Sequence, residues 1–171
     1  FTENSFDKNL VSRLEEADYI LLSIAPINGV DIVIKNLHNY FKLSKLKWIT
    51  YLSATSVYGD HRGEWVDESN ETRPTSTNGI ERLKVEKEWV KLANKFNLPL
   101  QIFRLSGIYS SQYNILARLK SGETKIINKK NHFFSRIHVE DIANILFKSL
   151  NKFKKNEIYN ISDDKPASAE E

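Results

Sequence analysis

The stretch Lys47-Trp48-Ile49-Thr50-Tyr51-Leu52-Ser53-Ala54-Thr55-Ser56-Val57-Tyr58-Gly59 decides the fold. Residues 47–53 are rich in aromatic, β-branched and apolar types, the composition of a strand. The run then gives way to small hydroxylated residues and a glycine, which turn the chain. Upstream, Asp18-Tyr19-Ile20-Leu21-Leu22-Ser23-Ile24-Ala25 is an apolar run ended by Pro26, the pattern of a parallel strand covered on both faces. Between the two, residues 29–41 carry Val30, Val33, Leu37 and Tyr40 at helical spacing. Downstream, residues 79–96 read as a long amphipathic helix with Leu83, Val85, Trp89, Leu92, Ala93 and Phe96 inward, and residues 99–105 as a third strand. Strands alternating with helices of this length predict an α/β fold, a doubly wound parallel sheet with helices on both faces.

The flanks complete the pattern. Residues 7–16 form a short helix candidate with Asp7 as N-cap and Leu10, Val11 and Leu14 on one face. Residues 60–77 are polar and turn-rich. Residues 113–120 are a helix candidate, 124–127 and 133–139 are short extended pieces, 140–150 is a helix and 157–161 a last strand.

Composition narrows the function classes. In 171 residues, 40% are hydrophobic and 27% charged, ordinary for a soluble domain. The longest apolar run is far below the roughly 20 residues that span a bilayer, and the first residues lack a signal-peptide pattern, so a cytoplasmic protein without membrane association is expected. With no cysteine, disulfides, Cys-ligated zinc and a thiol nucleophile are excluded. The 25 basic and 22 acidic residues give a net charge of +3, and the lysines alternate with apolar residues at helical spacing. That reads as solvated helix faces, not a nucleic-acid surface. The chain opens on Phe1, contains no methionine and stops in Pro166-Ala167-Ser168-Ala169-Glu170-Glu171, which resembles a helix start. It is expected to be a piece of a longer protein.

In parallel sheets, ligands sit at the carboxyl ends of the strands. Three such ends are distinctive here: Ser23-Ile24-Ala25-Pro26, residues 53–59, and Arg104-Leu105-Ser106-Gly107-Ile108-Tyr109. Taken with Asn78-Gly79, Arg136-Ile137-His138-Val139-Glu140-Asp141-Ile142-Ala143 and Tyr159-Asn160-Ile161-Ser162-Asp163-Asp164, in that order, the chain resembles the NAD-dependent epimerase/dehydratase family of extended short-chain dehydrogenases over about residues 18–166. The resemblance implies a Rossmann fold that holds NAD or NADP, and a carboxyl-terminal region that shapes a pocket for a small-molecule substrate, often a nucleotide sugar. It also implies that the first strands and their glycine-rich turn lie outside this chain. The chain is then a single incomplete domain, about residues 1–110 forming the cofactor half and about 111–171 a substrate region interleaved with the last strand. The resemblance also implies a candidate homodimer, since many relatives pair through the helix equivalent to residues 79–96, while the sequence leaves the oligomeric state open.

The family's reactive groups are replaced. Its Ser or Thr falls on Ala54, its tyrosine on Asn78 and its lysine on Arg82. Asn cannot act as a general base, and Arg stays protonated, although it can donate to ribose hydroxyls or a phosphate. Asn78 reads equally as a helix N-cap, and Lys84 lies roughly 200° around the helix from Arg82, a poor stand-in. The catalytic candidates are Thr55, Tyr58, Asn78 and Arg82, with Thr55 needing a local kink to replace Ala54. The cofactor-lining candidates are Ser23, Ala25, Pro26, Arg82 and Ile108. Tyr109, His61 and His138 are further acid/base candidates, with a capping role competing for His138. Arg104 and Arg136 are candidates to hold phosphate or orient a loop, an ion pair with Asp141 or Glu140 competing for Arg136. No His-x3-His or His-Glu-x-x-His spacing supports a metal site. Ser110-Ser111 replace the family's Gly-Pro after the tyrosine. The leading expectation is an atypical NAD(P)-dependent epimerase/dehydratase-like oxidoreductase. The alternative is a dinucleotide-binding protein that has lost catalysis.

Overall fold

The computed structural model describes residues 9–43, 45–122, 132–152 and 154–168. In chain order the elements are α1 (Asn9–Glu16), β1 (Tyr19–Leu22), α2 (Ile32–Leu37), a 3-10 turn (Tyr40–Leu43), β2 (Trp48–Ala54), a second 3-10 turn (Thr55–Val57), α3 (Thr77–Phe96), β3 (Leu100–Leu105), β4 (Gly107–Tyr109), α4 (Ile115–Lys120), β5 (Phe133–Phe134), β6 (Arg136–His138), α5 (Val139–Asn151), β7 (Glu157–Ile161) and β8 (Ala167–Ser168). The main sheet has the order β1-β2-β3-β7, and every pairing is parallel. Two short ladders, β4 with β6 and β5 with β8, stand beyond the carboxyl ends of β3 and β7.

Both faces carry a core. On one, Ile49, Tyr51, Leu100 and Ile102 of the sheet pack on Val85, Trp89, Leu92 and Ala93 of α3, with Leu14, Val33, Leu37 and Phe41 beside them. Trp89 is fully buried and meets Phe41 edge-on at 5.4 Å. On the other, Phe103, Leu105 and Ile161 pack with Ile137 and with Ile142 of α5. The α5 side also buries polar atoms: Gln101 Nε2 donates to Thr50 Oγ1 at 2.7 Å and to Ser149 Oγ at 3.1 Å, and Trp48 Nε1 donates to the same Ser149 oxygen.

Several boundaries differ from the sequence reading, each for a local reason. The apolar run at residues 18–25 is not covered on both faces. Among the described residues β1 pairs with β2 alone, and Tyr19 and Leu21 are 54% and 46% exposed. The helix expected over residues 29–41 starts late, because Asn28 and Gly29 take positive φ in a tight turn closed by reciprocal Ile27–Val30 hydrogen bonds. Asp31 then caps α2, its Oδ1 accepting from the Val33 and Ile34 amides, while its Oδ2 accepts from Trp89 Nε1 at 2.9 Å. Helix α3 begins two residues early, since Ser76 and not Asn78 is its N-cap. The segment 133–139 divides into β5, β6 and the first residue of α5. The expected N-cap Asp7 and the extended piece 124–127 lie outside the described residues. No helix of the described residues is long and apolar enough to cross a membrane.

Two glycines fix where the segments after β2 can go. Gly59 sits at φ +75°, and a Cβ there would fall 2.1 Å from the Arg73 carbonyl oxygen. Gly79 lets α3 approach the second 3-10 turn, because a Cβ would lie 2.5 Å from the Ser56 carbonyl oxygen. Replacing Gly59 combines left-handed backbone strain with a clash against main chain. Gly59→Ala is therefore expected to lower unfolding free energy by about 2 kcal/mol or more in urea titration. An equal stability would show that the 58–74 loop is not held as described.

Candidate active-site cleft

A cleft of about 760 Å3 opens at the carboxyl ends of β2 and β7. Its floor is Thr55, Ser56 and Tyr58 from the turn after β2, with Asn160, Ser162 and Asp163 from the end of β7. The loop from Gly59 to Val66 forms one wall, and His132, Phe133 and Ser135 form another. A smaller hollow of about 200 Å3 lies between the sheet and α5, lined by Gln101, Phe103, Lys148 and Ser149, away from these strand ends.

Ala54 is the last residue of β2 with extended backbone, and Thr55 opens the 3-10 turn that rotates the chain into the cleft. Ser53, by contrast, is buried on β2, and its Oγ has no hydrogen-bond partner among the described residues.

Tyr58 lines the cleft floor but is only 2% exposed, and its phenol is engaged on both sides. The hydroxyl donates to Asn160 Oδ1 at 2.8 Å and accepts from Arg104 Nη1 at 2.9 Å. Arg104 also stacks over the Tyr58 ring at 4.8 Å and donates twice to Glu86, Nη2 to Oε2 at 2.8 Å and Nε to Oε1 at 3.2 Å. The Asn160 backbone N–H donates to Glu68 Oε1 at 2.6 Å. Burial works against the Arg104 charge, but Glu86 and Tyr58 outweigh it and hold the guanidinium above its ordinary pKa. Two readings change accordingly. Tyr58 is a strut whose hydroxyl is committed to the interior, and Arg104 is the hub of a buried network, not a free phosphate holder.

Asn78 and Arg82 stand one turn apart on α3, yet neither lines the cleft. Asn78 is exposed in the first turn. Arg82 is half-buried and donates from Nη1 to the Leu52 carbonyl at 3.2 Å, beneath the end of β2. Beside it, the Tyr51 hydroxyl is buried without a well-aligned partner, and burial raises its pKa above the ordinary phenol range while the Arg82 charge pulls the other way. Lys84 is held elsewhere, its Nζ donating to the Gly29 carbonyl at 3.0 Å.

Of the cofactor candidates other than Arg82, three follow the end of β1 and one lies on β4. Ser23 and Ala25 are exposed just past β1, Pro26 is half-buried, and Ile108 is exposed on β4. His61 contacts the Glu71 carbonyl through Nε2 at 3.2 Å and Arg73 through Nδ1 at 3.4 Å, so both ring nitrogens are occupied. His138 caps α5, accepting from the Glu140 amide at 3.4 Å, and its ring lies edge-on to Tyr109. Tyr109 donates to Asp163 Oδ2 at 3.0 Å, and that bond raises its pKa. Arg136 lies over the Phe134 ring at 5.6 Å and makes no ion pair with Glu140 or Asp141 among the described residues. No group of three or more metal-ligating side chains occurs among the described residues.

The sequence reading missed Glu86, which looks like one more charge in a Lys/Glu-rich helix. The available signal was position, since Glu86 is three residues before Trp89 and three after Leu83, on the inward stripe.

Tyr51 provides a direct check on this interior. Its pKa is raised in the fold, so the stability it contributes is present below the unfolded phenol value of about 10 and is lost as pH rises above that. Tyr51→Phe should keep or raise stability at pH 7, by up to about 1 kcal/mol, because it removes a buried hydroxyl without a partner. It should also flatten the alkaline fall in stability above about pH 10. A loss of more than about 1 kcal/mol at pH 7 would mean that the Tyr51 hydroxyl is well bonded.

Comparison with known proteins agrees with this geometry. The model of the NAD dependent epimerase/dehydratase family matches residues 30–162. A solved structure of a conserved protein of unknown function from Silicibacter pomeroyi is 39% identical, with a TM-score of 0.81, over 90% of this chain and 54% of that one. The UDP-glucuronic acid 4-epimerase from Bacillus cereus in complex with NAD superposes with a TM-score of 0.82 at 19% identity, over 99% of this chain and 61% of that one. The UDP-N-acetylglucosamine 4-epimerase from the same organism gives 0.76 at 17% identity, over 95% and 63%. This chain thus spans between half and two thirds of the length of these structures. Among curated proteins no match was found. The chain belongs to the NAD dependent epimerase/dehydratase family.

Proposed function

We propose that this family member works, within its intact protein, as an NAD-dependent epimerase/dehydratase-type oxidoreductase on a nucleotide sugar, with the family's usual acid/base groups replaced. The observation that carries the reading is the family match over residues 30–162 in a chain whose large cleft opens at the carboxyl ends of its parallel strands. Solved structures of similar fold, among them a UDP-glucuronic acid 4-epimerase with NAD, support the same reading.

The residues at the strand ends fit a dinucleotide's nicotinamide end. Ser23, Ala25 and Pro26 are small and accessible, and Ile108 offers an apolar surface that is 46% exposed. They would bed the ring and its ribose, and Arg82, released from the Leu52 carbonyl, would reach the ribose hydroxyls as a fixed cation. NAD, when bound, accepts or returns a hydride. Thr55 lines the cleft one residue after the family's serine position, so we assign its hydroxyl the hydrogen bond to the reacting substrate oxygen. Asn78 serves as a neutral hydrogen-bonding group at the helix entrance. Tyr58 keeps the floor in place through Arg104 and Asn160. In this reading about residues 1–110 carry the cofactor side and about 111–171 the substrate side.

The intact protein should bind NAD and turn over at least one sugar nucleotide slowly. Ala54→Ser, Asn78→Tyr and Arg82→Lys together should raise kcat by about 10² to 10⁴, the usual worth of a positioned acid/base group. Absence of NAD binding by calorimetry, or binding with no turnover across a sugar-nucleotide panel before and after restoration, would refute the proposal.

A further inference from the structure

Trp65 lies on the wall of the cleft and is 78% exposed, whereas the other two tryptophans, Trp48 and Trp89, are 4% and 0% exposed. An indole this exposed on a cleft wall offers a flat apolar face with a polar N–H, which suits it to bind a ligand in the cleft. The backbone around it is set in advance. On one side the Glu64 amide donates to the His61 carbonyl at 3.0 Å, and on the other Asp67 closes a turn by accepting from the Ser69 amide at 2.9 Å. Phe133, 51% exposed, adds an apolar surface on the opposing wall.

Charge narrows the occupant. The cleft's carboxylates are Asp60, Glu64 and Asp163, and no Arg or Lys lines it among the described residues. Anionic walls disfavour phosphate or carboxylate. They favour hydroxyl groups, which can donate to carboxylate oxygens while the C–H face of their ring rests on an indole.

We propose that Trp65 is a specificity-determining residue, the platform for the uncharged hexose end of the substrate, and that the acidic rim selects a neutral hexose over a hexuronate. This rests on the sugar-nucleotide reading above and sharpens it, placing the hexose and not the diphosphate against the described walls.

The test uses the intact protein with UDP-glucose, UDP-glucuronic acid and UDP as probes, and measures NAD binding in the same samples. Trp65 emission is taken as the difference between wild type and Trp65→Phe. UDP-glucose should change that emission and UDP alone should not. Trp65→Ala should weaken UDP-glucose binding by about tenfold, the worth of a stacking contact. UDP-glucuronic acid should bind about tenfold more weakly than UDP-glucose, and Asp60→Asn with Glu64→Gln should narrow that gap. An equal response to UDP, no response to UDP-glucose while NAD binds, unchanged binding in Trp65→Ala, or a preference for the hexuronate would each overturn the proposal. Failure to bind NAD would count against the cofactor reading alone, and a Trp65 response to UDP-glucose in that case would still uphold the platform.

Discussion

The buried ion pair between Glu86 and Arg104 is the constraint on which the rest of the structure depends. Both side chains are about 5% exposed, in an interior where an unpaired charge costs several kcal/mol. Neither can therefore be left without the other. Arg104 is on β3 and Glu86 on α3, so the pair sets the position of the helix against the sheet. Arg104 Nη1 reaches Tyr58 on the turn after β2, and Tyr58 passes the connection to Asn160 on β7. Asn160 lies opposite Arg104 in the β3–β7 register, and its backbone N–H fastens the loop that carries Glu68. A single network thus joins five segments around the cleft floor: α3, β3, the turn after β2, β7 and the loop that carries Glu68.

That network holds the cleft floor independently of the residues at positions 54, 78 and 82. The turn from Thr55 to Gly59 is held from below by Arg104 and from the side by the close approach of α3 at Gly79. Neither constraint needs a hydroxyl at position 54, a phenol at 78 or an ammonium at 82. Arg82 has found an internal acceptor in the Leu52 carbonyl, and Ser76 has taken over the start of the helix.

Much of the fold was legible because it rests on local pattern. The apolar runs at residues 47–53, 99–105 and 157–161 lie within a residue or two of β2, β3 and β7, and the inward stripe of α3 contains Val85, Trp89, Leu92 and Ala93 as its spacing implies. What escaped depends on partners distant in sequence. An apolar run such as Tyr19–Leu22 does not say whether a strand has one neighbour or two. Four consecutive cap formers, Thr75 to Asn78, leave the helix start undecided until the Ser76 hydroxyl meets the Gly79 amide. Asn28-Gly29 was a readable turn signal hidden inside a helical period. In the site, the hydrogen-bond partners of Tyr58, Arg104 and Asn160, are 46 and 102 residues away, so no local pattern announces them.

The most direct measurement of the central claim is a double-mutant cycle on the hub, using Glu86→Gln, Arg104→Met and the double variant, with unfolding free energies from urea titration. Each single change leaves a buried polar or charged partner unpaired and should cost about 3–5 kcal/mol, while the double variant should cost well below the sum, with a coupling of about 2 kcal/mol or more. Additive costs, with coupling under about 0.5 kcal/mol, would show that the pair does not hold the fold and would contradict the account.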